Sequence, residues 1–206
     1  MKASPGGWTL YTSKCIGKQG FIIACDLLEL DSLCLKSIQD NSRVQCIYGD
    51  FTQQDIQHQI VTALQHHHSI TTENILSIDK VSGTSTIVHK GIEKSIPAQN
   101  TKVDCIISDM ATNFTGDRTT DAFRTMNLCE DALRFAIGQD GFQDEDSTTL
   151  LKKGGSFLCK FFPCGKDHEQ DLLHRVKRMF RYTTLLKPPA SRKDSSEVYL
   201  YAGGYL

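Results

Sequence analysis

The sequence predicts an α/β protein built on a mostly parallel sheet with helices on both faces and an antiparallel last strand. Three observations carry that prediction. Short β-rich apolar runs alternate with stretches of helical period, three of the runs close on an aspartate, and a glycine turn stands 19 residues ahead of the first of those aspartates. At 206 residues and 39% hydrophobic content the chain is expected to form one domain spanning residues 1–206.

The first element is the turn Pro5-Gly6-Gly7, expected to lead into a helix near Trp8 and Thr9. Strands are predicted at 20–25 (GFIIAC), 44–48 (VQCIY), 103–107 (VDCII), 155–162 (GSFLCKFF), 182–187 (YTTLLK) and 197–202 (EVYLYA). Between them Ile56, Ile60 and Leu64 recur at helical spacing, as do Met126, Cys129, Leu133 and Ile137, and then Leu172, Val176, Met179 and Phe180. The polar stretch 66–100 breaks this rhythm and reads as a surface insertion with a short hairpin near 84–95. His66, His67 and His68 within it read as a solvated helix end, because consecutive helical positions diverge too far to share a metal. Residues 139–147 read as an acidic loop.

Composition excludes several classes of protein. No apolar run approaches the roughly 18 residues of a membrane span, and the first residues lack a secretory or Arg-rich leader pattern. The eight cysteines include no C-x-x-C pair, and Cys25, Cys46, Cys105 and Cys159 each lie in an apolar run, so buried free thiols are expected and metal is not. That pattern suits a reduced, intracellular protein. Net charge is −1, yet residues 150–206 carry 11 Lys and Arg against 5 Asp and Glu, so the C-terminal side suits an anionic partner.

The candidate site lies where strands end. In doubly wound sheets an acidic residue about 20 residues past the glycine loop accepts hydrogen bonds from a ribose diol, and Asp26 stands at that spacing. Asp50 reads either as an acceptor for an exocyclic amine or as the cap of the helix after it. Asp109 closes the third run at a carboxyl end, the side on which open α/β sheets bind ligands. Lys160 interrupts the run Phe157–Phe162, either snorkelling into water or serving as a functional amine. Glu197 opens the last strand.

Taken together, SPGGW, IIACDLL, GDF, ISDMATNFTG, LKKGGSFLCKFF and KPPASRKDSSEVYLYAGGY resemble, in order, the FtsJ/RrmJ family of S-adenosylmethionine-dependent ribose 2′-O-methyltransferases. The stretch before VDCIISDM, with MNLCEDAL, looks most like the fungal mitochondrial large-subunit rRNA branch.

The resemblance implies a Rossmann-like methyltransferase fold with S-adenosyl-L-methionine as cofactor. Pro5, Gly6, Gly7 and Trp8 would border the cofactor, Asp26 with Leu27 would hold its ribose, Asp50 with Phe51 its adenine, and Asp109 would lie beside its reactive end. Asp109, Lys160 and Glu197 match three of the family's four catalytic positions, with Lys160 as proton acceptor. The implied partner is ribosomal RNA or the pre-ribosomal large subunit, contacted through Arg175, Lys177, Arg178, Arg192 and Lys193, by a monomer located in mitochondria. Nuclear or cytoplasmic location, a tRNA or mRNA-cap substrate, and a non-catalytic assembly factor are the alternatives. Two departures stand out. Thr112 replaces the Pro usual after Asp-Met-Ala, and the family's first strand and first catalytic lysine have no counterpart, Lys2 being too near the loop. A lysine between carboxylates without a second cation is a poor base, so impaired catalysis is expected of this chain.

Overall fold

The computed structural model describes residues 6–38, 41–78, 102–138, 149–188 and 196–206. Helix α1 (Gly7–Cys15) leads to strand β1 (Ile22–Asp26), a short helix α2 (Ser32–Ser37), strand β2 (Val44–Tyr48) and the long helix α3 (Gln54–Ile78). Then come β3 (Val103–Ser108), α4 (Arg118–Ile137), β4 (Leu151–Phe161), α5 (Lys166–Met179), β5 (Phe180–Leu186) and β6 (Val198–Tyr205). All six predicted strands form. Strand β4 starts earlier than predicted, at Leu151, and a register shift between Val103 and Cys105 absorbs the added residues near Gly154, whose φ is +82°.

The strands make two ladders. β1 and β2 pair in parallel, and a four-stranded sheet has the order β3-β4-β6-β5, parallel at β3-β4 and antiparallel at both later junctions. The resemblance puts a central strand between β1 and β3, and among the described residues none lies there. The two ladders share the cover of α3, whose Ile56, Ile60 and Leu64 gather Ile23 and Cys25 of β1 together with Val103 and Ile106 of β3.

Helical stripes read from the sequence do form the core. Met126, Cys129 and Leu133 of α4 and Leu172 and Val176 of α5 close over Phe157, Cys159 and Phe161 of β4 and Leu200 of β6, all nearly or wholly buried. Phe180 begins β5 rather than ending α5, and it remains in this core. On the opposite face α1 approaches the sheet, with the Trp8 ring tilted on Tyr199 of β6 at 5.8 Å between centroids. Helices therefore flank both faces.

Three readings are corrected. The break read at residue 66 is not one in the structure: residues 66–78 continue α3, because an established helix propagates through polar residues at little cost each. His66 and His67 accordingly lie inside a helix, and His67 stacks on Phe21 with centroids 3.9 Å apart. Cys105 is exposed, because β3 has a strand neighbour on one side only among the described residues and Asp104, Cys105 and Ile107 face outward. All eight cysteines are free thiols. The predicted hairpin at 84–95 and the acidic loop at 139–147 lie outside the described residues.

The turn before α1 tests the packing directly. Gly6 has φ +92°, and a Cβ there would lie 2.6 Å from Cys34 Sγ, whereas a Cβ at Gly7 meets nothing within 4 Å. Gly6→Ala is expected to cost about 1–3 kcal/mol in urea unfolding, from left-handed strain and the clash. Gly7→Ala should unfold no earlier than the parent, since Ala is the better helix former.

Candidate active site

Strand register assembles the site. Ser108, the last residue of β3, pairs with Cys159, so Asp109 emerges beside Lys160, and Lys160 in turn pairs across the antiparallel ladder with Tyr199 of β6. Three neighbouring strand ends thus deliver a carboxylate, an amine and a phenol to one rim. Lys160 Nζ lies 2.7 Å from Asp109 Oδ1, and the Tyr199 hydroxyl donates to the same oxygen at 3.0 Å. The side chains of Lys160 and Asp109 are only 13% and 21% exposed, a half-buried pair in which losing either partner would strand a charge.

Burial foremost, then the Asp109 charge and the hydrogen bond to it, push the Tyr199 phenol well up from its ordinary range, so it stays protonated and donates at neutral pH. The charge of Glu197 reaches Tyr199 and acts in the same direction. Tyr199 was not singled out in the sequence, because in EVYLYA it reads as one alternating strand residue among others. Only the register with Lys160 exposes its role. Its ring also carries Trp8, so one residue touches both the glycine turn's helix and the Lys160–Asp109 pair.

The glycine turn and the two earlier aspartates form the other half of the cleft. Asp26 is 5% exposed; its Oδ1 accepts from the Leu28 N–H at 2.9 Å, and its Oδ2 is buried without a hydrogen-bond partner. A buried carboxylate oxygen left unpartnered is costly, which suits an oxygen that completes its bonds on a bound diol. Asp50 Oδ1 accepts the Thr52 N–H and hydroxyl in a local turn; because α3 begins only at Gln54, Asp50 does not cap that helix, and it stays exposed at the strand end. Burial, then the charges of Asp26 and Asp50, push the Cys25 thiol up to about 11, and Asp26 pairs with Tyr48, two residues before Asp50. Leu27 is exposed beside Asp26. Phe51, next to Asp50, is partly buried and packs edge-on to Phe135 at 5.1 Å.

The loop from Asp109 into α4 is fixed by Asp121. This side chain, 6% exposed, accepts the Thr115 N–H and hydroxyl at 2.8 and 2.9 Å and the Gly116 N–H at 3.2 Å. Asp117 caps α4 by accepting from Thr119 and Thr120. Of the predicted RNA-contacting residues, Lys177 and Arg178 lie exposed near the far end of α5, about 16–18 Å along its axis from the rim. Arg175 reaches Glu130 of α4 at 2.5 Å. Arg175 and Arg178 line an open polar groove between α4 and α5 of about 400 Å³, with Glu130, His168, Asp171 and His174. Pro5, Arg192 and Lys193 lie outside the described residues. Among the described residues, no cluster of His, Cys, Asp or Glu could hold a metal ion, and no helix is long and apolar enough to cross a membrane.

A glycine turn, aspartates at successive strand ends and an antiparallel last strand define a Rossmann-like nucleotide-cofactor enzyme of the doubly wound class. The sequence profile described as FtsJ-like methyltransferase matches residues 2–205, and the chain belongs to that family. It is 32% identical over 203 residues to the ribosomal RNA large subunit methyltransferase E of Pseudomonas fluorescens, a match covering 98% of this chain and 71% of that protein. The protein of the same name from Rickettsia rickettsii is 30% identical over 205 residues, covering 97% and 66%. A ribosomal RNA methyltransferase of Plasmodium falciparum has the same fold, with a TM-score of 0.56 and 19% identity over 99% of this chain and 83% of that one. S-adenosylmethionine is the cofactor of this family. The residues present fit it: the unpartnered Asp26 Oδ2 suits its ribose, and the space beside Gly7 lets backbone approach it.

Asp121 supplies a pH test of the loop. The Thr115 N–H foremost, then that residue's hydroxyl, the Gly116 N–H and Arg124, hold its carboxyl below the usual range against the opposing effect of burial. A depressed folded pKa means the stabilisation is in place above the unfolded value and is lost as pH falls through the folded one. Asp121→Asn should therefore melt below the parent at neutral pH, and the gap in Tm should close as pH falls below about 4.

Proposed function

We propose that this protein methylates a ribose 2′-hydroxyl of ribosomal RNA, at one nucleotide of the mitochondrial large-subunit RNA. The observation that carries the reading is the placement of Lys160, Asp109 and Tyr199 on three adjacent strand ends beside the glycine turn. Relatives named as large-subunit rRNA methyltransferases support the substrate class. The resemblance of the stretch before VDCIISDM and of MNLCEDAL to the fungal mitochondrial branch supports the location.

When bound, S-adenosylmethionine supplies an electrophilic sulfonium methyl group. Asp26 and Asp50 hold its ribose and adenine, and Gly6, Gly7 and Trp8 border the remainder. Lys160 accepts the proton of the ribose hydroxyl once its own proton has left, and Asp109 holds the resulting ammonium in place; the same ion pair favours the charged amine, so the transfer is slow. Tyr199 fixes the Asp109 carboxylate by its hydrogen bond, and Glu197 completes the charged rim. RNA backbone is contacted by Arg192 and Lys193, which lie outside the described residues, with Arg175, Lys177 and Arg178 reaching further phosphates.

The test is methyl transfer to purified large-subunit ribosomal RNA, with cofactor affinity followed separately. Lys160→Ala should lower transfer at least about a hundredfold with cofactor affinity unchanged. Asp26→Asn should weaken cofactor binding about tenfold. A protein that binds the cofactor yet transfers no methyl group to any ribosomal RNA would instead be an assembly factor.

A further inference from the structure

We propose that Phe114 and Phe162 form a stacking site for an RNA base next to the target ribose, an inference that rests on the RNA substrate proposed above. Phe162 is the first residue past β4 and lies two residues beyond Lys160. The alternation of buried and half-exposed positions along β4 continues through it, which puts it on the Lys160 side of the sheet, about 6–7 Å further out. The Phe114 ring meets it edge to face, with centroids 5.6 Å apart and planes at 80°.

Both rings are presented by fixed backbone. Phe114 directly precedes Thr115 and Gly116, which the buried Asp121 holds by three hydrogen bonds. The Phe162 N–H donates to Oγ1 of the fully buried Thr125 at 3.1 Å. Residues in the first two turns of α4 therefore anchor both sides of the aromatic pair. Phe114 is nonetheless 63% exposed, so its ring contributes little to the core and leaves a face open. A rigid, exposed ring loses little freedom on stacking, which is how aromatic platforms hold single-stranded bases.

The surrounding charge matches an anionic strand. Arg118 and Lys166 are the first residues of α4 and α5, and both are exposed. A cation in the first turn opposes the helix dipole, so these positions do not serve their helices. Each lies four residues past one ring of the pair, Arg118 past Phe114 and Lys166 past Phe162, so each can meet a phosphate next to a stacked base. Single-stranded RNA loops present unstacked bases, so a target ribose in such a loop leaves its own base, or that of its neighbour, free to stack on the pair.

The test uses fluorescence anisotropy with a short fluorescein-labelled single-stranded RNA and with an abasic ribose-phosphate chain of equal length. Phe114→Ala should bind the base-bearing RNA about tenfold more weakly and the abasic chain as the parent does, whereas Phe114→Trp should retain parental affinity for both. The Tm and cofactor affinity of Phe114→Ala should match the parent, because the ring is exposed and outside the cofactor cleft. Undiminished affinity of Phe114→Ala for the base-bearing RNA, or an equal loss on the abasic chain, would overturn the stacking site alone. A parent that binds neither RNA would overturn the RNA reading and the stacking site with it.

Discussion

The ion pair between Lys160 and Asp109 is the contact on which the site depends. It joins the carboxyl ends of two parallel strands, β3 and β4, and fixes where an amine can stand in an otherwise apolar run. A half-buried amine needs a partner, and a half-buried carboxylate needs donors; each supplies the other, and the Tyr199 hydroxyl supplies the remaining donor. Because the three residues sit on hydrogen-bonded neighbouring strands, their spacing is set by sheet register rather than by flexible loops. Rigid placement of this kind is what proton transfer within hydrogen-bond reach requires.

The same economy governs the elements around the pair. α4 covers the core with Met126, Cys129 and Leu133 while its first turns hold the loop after β3 through Asp121 and the end of β4 through Thr125. Tyr199 belongs to a strand whose alternate residue, Leu200, is wholly buried in that core, and its ring supports Trp8 beside the glycine turn. Packing on one face of the sheet thus positions chemistry on the other. The cofactor side is less complete within the protein itself, since Asp26 keeps a buried oxygen without a partner. That is the expected state of a group whose bonds are finished by a ligand.

Much of this was legible in the sequence, and the reasons are particular. Asp26, Asp50, Asp109 and Lys160 stood out because each is charged and adjoins or interrupts an apolar strand run, where a charge needs a cause. The stripes of α3, α4 and α5 were legible because apolar periodicity is a property of one segment. Tyr199, Phe114 and Phe162 were not, since an aromatic residue in or after a strand looks ordinary until register and loop anchoring show what lies beside it. Residues 66–78 misled because composition reports local preference, while helix continuation is cooperative.

Tyr199 acts on Lys160 only through Asp109 in this account, and a double-mutant cycle on methyl transfer tests that link most directly. Tyr199→Phe removes one hydroxyl and keeps the ring on Trp8, whereas Asp109→Asn removes the charge that both partners share. The double variant should be no slower than Asp109→Asn alone, at cofactor affinity equal to that of the single variants. Two losses that multiply would show that the hydroxyl works independently of the carboxylate, and the shared-oxygen arrangement would not be the basis of the site.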